Sequence, residues 1–241
     1  MGLHYFKHLL KKNAIIYDFF LFQYSRYLKF RYKKTTHIRD LGKGKIKKEI
    51  IGNNNKIEIG DKSYVRNLKI LIHGQNNLIR IGERCKFVPE CSIWIKGSNC
   101  KIIIGDGTTF MYHNHLNATE DNSTIFIGND CMFANTIIIR TSDDHPIIDI
   151  ETGKRINLPQ DIFIGNHVWV APHVKIMKGA YIASNCIIGS DTTISKKFDK
   201  ENCLIIGRHA RIVKENVSWL RYLSDYEQKT DHSHFSSPPG S

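Results

Sequence analysis

Residues 161–197 read DIFIGNHVWVAPHVKIMKGAYIASNCIIGSDTTISKK, and their apolar positions recur every six residues. Ile164, Val170, Ile176, Ile182, Ile188 and Ile194 form one ladder. A second, with smaller occupants, runs two residues ahead through Ile162, Val168, Val174, Ala180, Cys186 and Thr192. A period of six fits neither the 3.6 of a helix nor the simple alternation of a lone strand. It fits a short strand plus a turn, repeated. Three such units close a triangular coil whose aliphatic side chains stack on those of the next coil.

Working outward, a looser form of the pattern fills residues 51–128. GNNNKIEIGD from Gly52 returns as GQNNLIRIGE from Gly74, GSNCKIIIGD from Gly97 and EDNSTIFIGN from Glu120. Gly60, Gly82, Gly105 and Gly128 mark successive coils, and the Asn- and Gly-rich turns suit corners that need a positive φ. After Gly128 the six-residue ladder steps through Ile127, Phe133 and Ile139 to His145, then breaks. The polar, proline-bearing excess before Ile164 predicts a protruding loop at about 141–160, and functional groups concentrate on loops held by rigid scaffolds.

The flanks differ in character. Residues 1–48 form a basic, aromatic segment for which helical spacing fits best, with Phe19, Phe20, Phe22 and Tyr27 among Lys11, Lys12, Arg26 and Lys29. Its most apolar run, 14–22, is too short to cross a bilayer and contains Asp18. Two readings stand for residues 1–35: an interfacial helix at an anionic membrane, or a helix packed against the prism. Residues 215–230 predict a C-terminal capping helix, after LIIGRHARIVKEN closes the last coil of a 49–214 domain, and 231–241 a flexible tail.

The 241 residues carry 35 Lys and Arg against 23 acidic residues, a net charge of +12 that favours an anionic partner. The six cysteines form no CxxC pair, and several fall where the ladder wants a small apolar side chain. They read as reduced core thiols rather than a disulfide framework. With nothing resembling a cleavable signal peptide at the N-terminus, a cytoplasmic protein is expected.

The motifs TSDDHPIIDIETGKRI and DIFIGNHVWVAPHVKIMKG, with Trp169 following His145 by 24 residues, resemble the hexapeptide-repeat acyltransferases. Within them the likeness is to the acetyltransferases of bacterial capsule and lipopolysaccharide sugars, including polysialic acid O-acetyltransferases. The resemblance implies an all-β fold, a left-handed parallel β-helix, assembled as a homotrimer with active sites between subunits. It implies acetyl transfer from acetyl-CoA to a sugar hydroxyl of a surface polysaccharide, without a metal, and no nucleic acid partner. His145 matches the family's general base, and Trp169 the tryptophan lining the acetyl-CoA and acceptor pocket. Ala171, Ser190, Ser195, Lys196 and Lys214 match positions that hold the cofactor. Ala171, where Gly is usual, and His209, in GRHARIV, depart from the family pattern.

Other assignments follow from the residues themselves. Trp169 lies between Val168 and Val170, which alternation points inward, so its indole points out. Asp143 and Asp144 either orient the imidazole or raise its basicity, with a place among the substrate-binding candidates, or are solvated turn acids. Tyr112, His113 and His115, one coil earlier, either face the acceptor or form an exposed polar turn, with Leu116 inward. Three alternatives remain open. One is a zinc-dependent carbonic-anhydrase-like hydratase using ligands among His113, His115, His145, His167 and His173. Another is a non-catalytic β-helix binding an anionic glycan or membrane. The third is an N-acetyltransferase for amino sugars.

Overall fold

The computed structural model describes residues 36–226, together with Gln23. The chain coils as a parallel β-solenoid of short strands, and the core is the stack of aliphatic and aromatic side chains inside it. One face carries eight parallel strands, from His37–Asp40 and Lys56–Ile59 through Thr124–Ile127 and Ile162–Ile164 to Lys197–Phe198. The other two faces merge into a single fourteen-stranded sheet, because the long strand Tyr64–His73 runs across the corner between them. The second face holds Lys86–Phe87, Thr109–Phe110, Met132–Phe133, Trp169–Val170, Ile187–Ile188 and Cys203–Ile206. The third holds Ser92–Lys96, His115–Thr119, Ile138–Arg140, Lys175–Met177 and Thr193–Ile194.

The six-residue period works because each strand sets one residue above its counterpart in the coil below. Ile139 pairs in register with Leu116 and Ile176, and Val170 with Phe133 and Ile188. Inward positions are fully buried. Phe87, Phe110 and Phe133 stack at 4.5 Å between centroids, filling the wider coils with rings instead of aliphatic branches. Inward polar residues bond along the prism axis. Asn77 donates to Gly97 O at 2.9 Å, accepts from the Cys100 amide at 2.8 Å, and its own amide donates to Asn55 at 3.1 Å. Buried amides are thereby satisfied without water.

The corners follow the turn chemistry. Asn54, Asn76, Asn99 and Asn122 all have φ between 53° and 63°, the left-handed region that asparagine tolerates. Glycines 60, 82, 105 and 128 stack so closely that a Cβ on Gly105 would sit 2.4 Å from Asn129 Oδ1. All six cysteines are free and buried. Cys85, Cys91, Cys100 and Cys131 donate their thiols to main-chain carbonyls of the next coil, and burial pushes Cys85 and Cys91 up to about 11 and Cys131 to about 12.

The flanks depart from expectation. Solenoid pairing begins well before residue 49: His37–Asp40 pairs with Lys56–Ile59, and Lys43–Ile51 with Tyr64–His73. Parallel pairing along nine residues of Tyr64–His73, with Ile46 and Ile50 packed against the core, overrides the basic composition there. The helix expected over residues 1–35 lies outside the described residues. At the other end LIIGRHARIVKEN does not close a coil. Gly207, at φ 106°, turns the chain so that Arg211–Glu215 runs back antiparallel to Cys203–Ile206. Asn216–Tyr222 is irregular, and only Leu223–Tyr226 makes a helical turn. This segment lies along the second face, where Trp219 is itself buried and stacks on the His167 ring. No helix among the described residues is long and apolar enough to cross a membrane.

Candidate active site

The excursion leaves the third face after Ile138–Arg140 and returns at Gln160, whose amide donates to Thr141 O at 3.0 Å. Its distal half is a hairpin closed by the Ile148–Arg155 bridge, with Asp149 accepting from the Thr152 amide and hydroxyl at 2.7 Å each. His145 stands exposed on the near side of this loop. No hydrogen bond reaches its ring among the described residues, so both nitrogens are open to a substrate. Its carbonyl accepts from Asn157 Nδ2 at 2.8 Å.

The neighbouring carboxylates do not serve His145 as the sequence led us to expect. Lys178 holds Asp143 at 2.6 Å and Asn157 donates to it at 2.9 Å, which together keep its pKa below the usual value. Asp144 pairs with Arg140 instead. The acids are taken up by Lys178, Asn157 and Arg140, and so brace the loop.

Below the loop, Glu120 occupies a corner at φ 69° and accepts a two-pronged guanidinium from Arg155 and the hydroxyl of Ser142. Chiefly through Arg155, then Ser142, its pKa is lowered to about 2. None of Glu120, Ser142, Arg155, Asn157 or Lys178 emerged from the sequence as a site residue. One signal existed: Glu120 stands where the three preceding repeats carry Gly52, Gly74 and Gly97.

Trp169 lies on the second face, half-buried and outward, with Val168 and Val170 buried on either side. His145 follows a strand of the third face, whereas Trp169 stands on the second. What meets Trp169 is Trp219, whose ring lies 6.3 Å from it and stacks on His167 at 4.2 Å. Trp219 Nε1 donates to His167 O at 2.9 Å, and Arg221 donates to Asp130 at 2.7 Å and Thr109 at 3.0 Å. His167 Nδ1 also meets Asp130 at 2.7 Å. Burial opposes ionisation of Asp130, but Arg221 and His167 outweigh it and hold its pKa low.

The remaining candidates are spread over several corners. Ala171 and Ser190 follow the same corner of successive coils, and the Ala171 amide donates to Ile188 O at 2.9 Å. Ser195 and Lys196 are exposed at the next corner, with Lys196 Nζ 5.4 Å from the Phe198 ring. Lys214 is exposed on the antiparallel strand. On the third face Leu116 is inward as expected, and His115 points outward with Nδ1 2.7 Å from Ser92 Oγ. Burial, then neighbouring His113, lowers the His115 pKa and favours the neutral ring. His113 is a corner residue at φ 61° beside Glu90, and Tyr112 is exposed next to it. His167 and His173 are corner residues too, at φ 53° and 63°. No group of three His, Cys, Asp or Glu among the described residues could hold a metal ion.

Residues 161–196 match the family described as bacterial transferase hexapeptide (six repeats). The chain is 37% identical over 190 residues to a polysialic acid O-acetyltransferase of Neisseria meningitidis, a match covering 70% of this chain and 87% of that one. It is 39% identical over 143 residues to a polysialic acid O-acetyltransferase of Escherichia coli O1:K1, covering 59% of this chain and 45% of the relative. The crystal structure of a polysialic acid O-acetyltransferase superposes with a TM-score of 0.71 at 31% identity, over 83% of this chain and 95% of that one.

Proposed function

Because this chain belongs to the hexapeptide-repeat O-acetyltransferases related to the polysialic acid O-acetyltransferases, we propose that it transfers acetyl from acetyl-CoA to a hydroxyl of an anionic capsular sugar, with His145 as general base. The observation that carries this reading is the His145 imidazole itself, exposed and unengaged on a loop whose main chain is tied down. A sugar hydroxyl is a poor nucleophile at neutral pH. A neutral imidazole takes its proton as the oxygen attacks the thioester carbonyl, and coenzyme A leaves as the thiol when the tetrahedral intermediate collapses. The +12 charge suits a polymer carrying carboxylates.

The placement of His145 and Trp169 on different faces supports an assembled active site. We read the prism as left-handed and the active protein as a homotrimer in which His145 of one copy meets Trp169 of the next. The loop supports this: Ile150 is 97% exposed, Ile156 65% and Leu158 60%, an apolar surface beside the base that a neighbouring copy covers. In that groove Ala171 and Ser190 line the pantetheine arm, and Ser195, Lys196 and Lys214 face the nucleotide phosphates. Tyr112, His113 and His115 lie toward the acceptor.

The test is turnover of acetyl-CoA with a polysialic acid acceptor. His145→Ala is expected to lower kcat by roughly 10²–10⁴ while the protein stays folded. Undiminished acceptor-dependent release of thiol from the variant would remove His145 from the mechanism.

A further inference from the structure

We propose that Asn157 is the positioning residue for the base: it sets the main chain on both sides of Pro146 and thereby aims the His145 imidazole. The inference rests on the assignment of His145 made above.

The chain at His145-Pro146-Ile147 has left the solenoid, and of its polar groups the Ile147 carbonyl is taken by the Ile156 amide at 2.9 Å, across the hairpin. Pro146 has no N–H and a fixed φ. The His145 carbonyl and the Ile147 amide, which flank the proline, are both taken by a single carboxamide. Asn157 Nδ2 donates to His145 O at 2.8 Å, while its Oδ1 accepts from Ile147 N at 2.7 Å. These two bonds hold the main chain on either side of a residue whose φ is fixed, and so restrict the backbone from which the His145 side chain projects.

Asn157 is itself held on every side. It is 7% exposed. Its second Nδ2 hydrogen goes to Asp143 Oδ2 at 2.9 Å, and Oδ1 also accepts from Arg155 Nε at 3.1 Å. All four bonds open to a carboxamide are made, and donors and acceptors cannot be exchanged without breaking each of them. Arg155 Nη2 further donates to Asn157 O at 3.1 Å and to Glu120 Oε1 at 2.7 Å. Glu120 belongs to the coil below the loop. A continuous path therefore runs from the solenoid wall through Arg155 and Asn157 to the backbone of the base, without touching the imidazole. A fully satisfied buried network of this kind is rigid, and a base works only within a narrow range of positions.

The experiment compares His145→Ala, Asn157→Ala, Asn157→Asp and the exchanged pair Asp143→Asn/Asn157→Asp in the full chain, recording kcat, KM for acetyl-CoA and for polysialic acid, and thermal midpoint. Asn157→Ala and Asn157→Asp are expected to lower kcat about 10–100-fold, with both KM values within about twofold of wild type. The exchanged pair restores the 143–157 hydrogen bond and the charge count but sets a carboxylate oxygen against the His145 carbonyl. It is expected to recover the thermal midpoint and not kcat. Recovery of kcat in the exchanged pair, or wild-type kcat in Asn157→Ala, overturns the inference while leaving His145 as base. Wild-type turnover in His145→Ala overturns the base itself, and the inference with it.

Discussion

Glu120 replaces a glycine of its own repeat, and the substitution explains what the corner does there. The three glycines above it in the sequence carry only a turn; Glu120 also receives Arg155 and Ser142 from the loop. Its pKa of about 2 lies below the ordinary 4.5, so the stabilisation it gives is complete above about pH 4.5 and drains away as pH falls through about 2. Thermal midpoints measured from pH 6 down to 2 are therefore expected to fall for wild type. For Glu120→Gln they should start lower and fall less across that window. A parallel fall in both proteins would assign the acid sensitivity to other carboxylates, such as Glu58, which Lys56 and Arg80 hold at about 2. That Glu120 anchors a loop was legible only as a broken repeat. Its partner Arg155 lies 35 residues away, and no local pattern encodes a pairing at that distance.

Among the elements, the solenoid strands were readable and the C-terminal segment was not, for one physical reason. A strand in this fold is specified by its own alternation and by a copy of itself one coil away, so period six and the repeats at Gly52, Gly74 and Gly97 suffice. Residues 216–226 have helix-like spacing, with Leu220 and Leu223 three apart, but their conformation is decided by contacts to His167 and Asp130, 52 and 91 residues earlier in the chain. Tertiary contact outweighs a weak local preference. The same distance hides the partition of His145 and Trp169 between faces. Trp219 is 5% exposed and is the anchor of this segment. Trp219→Ala is expected to remove at least about 1.5–3 kcal/mol of local burial. The segment should then lift from the second face, with faster tryptic cleavage at Arg221 and a red-shifted emission from Trp169. Unchanged cleavage would mean that Arg221 alone holds it through Asp130 and Thr109.

For the whole molecule, a solenoid has two ends, and each end is a template for another copy. At the C-terminal end the antiparallel strand Arg211–Glu215 covers Cys203–Ile206 with a reversed partner. At the other, Lys43–Ile51 has one strand neighbour among the described residues and carries exposed Lys43, Lys45, Lys47 and Lys48. These charges oppose end-to-end growth. Replacing all four by threonine is expected to produce concentration-dependent oligomers larger than any the parent protein forms at the same concentration, seen by light scattering. Absence of such growth would place the barrier elsewhere. The interior has a further consequence, because its coils are held only by their nearest neighbours and so unzip in sequence. Six buried thiols are distributed along the solenoid, from Cys85 through Cys131 to Cys203. Each becomes alkylatable when its own coil opens. The chain thus carries an internal tachograph: the order in which its cysteines take up label records from which end, and how far, the spring has unwound.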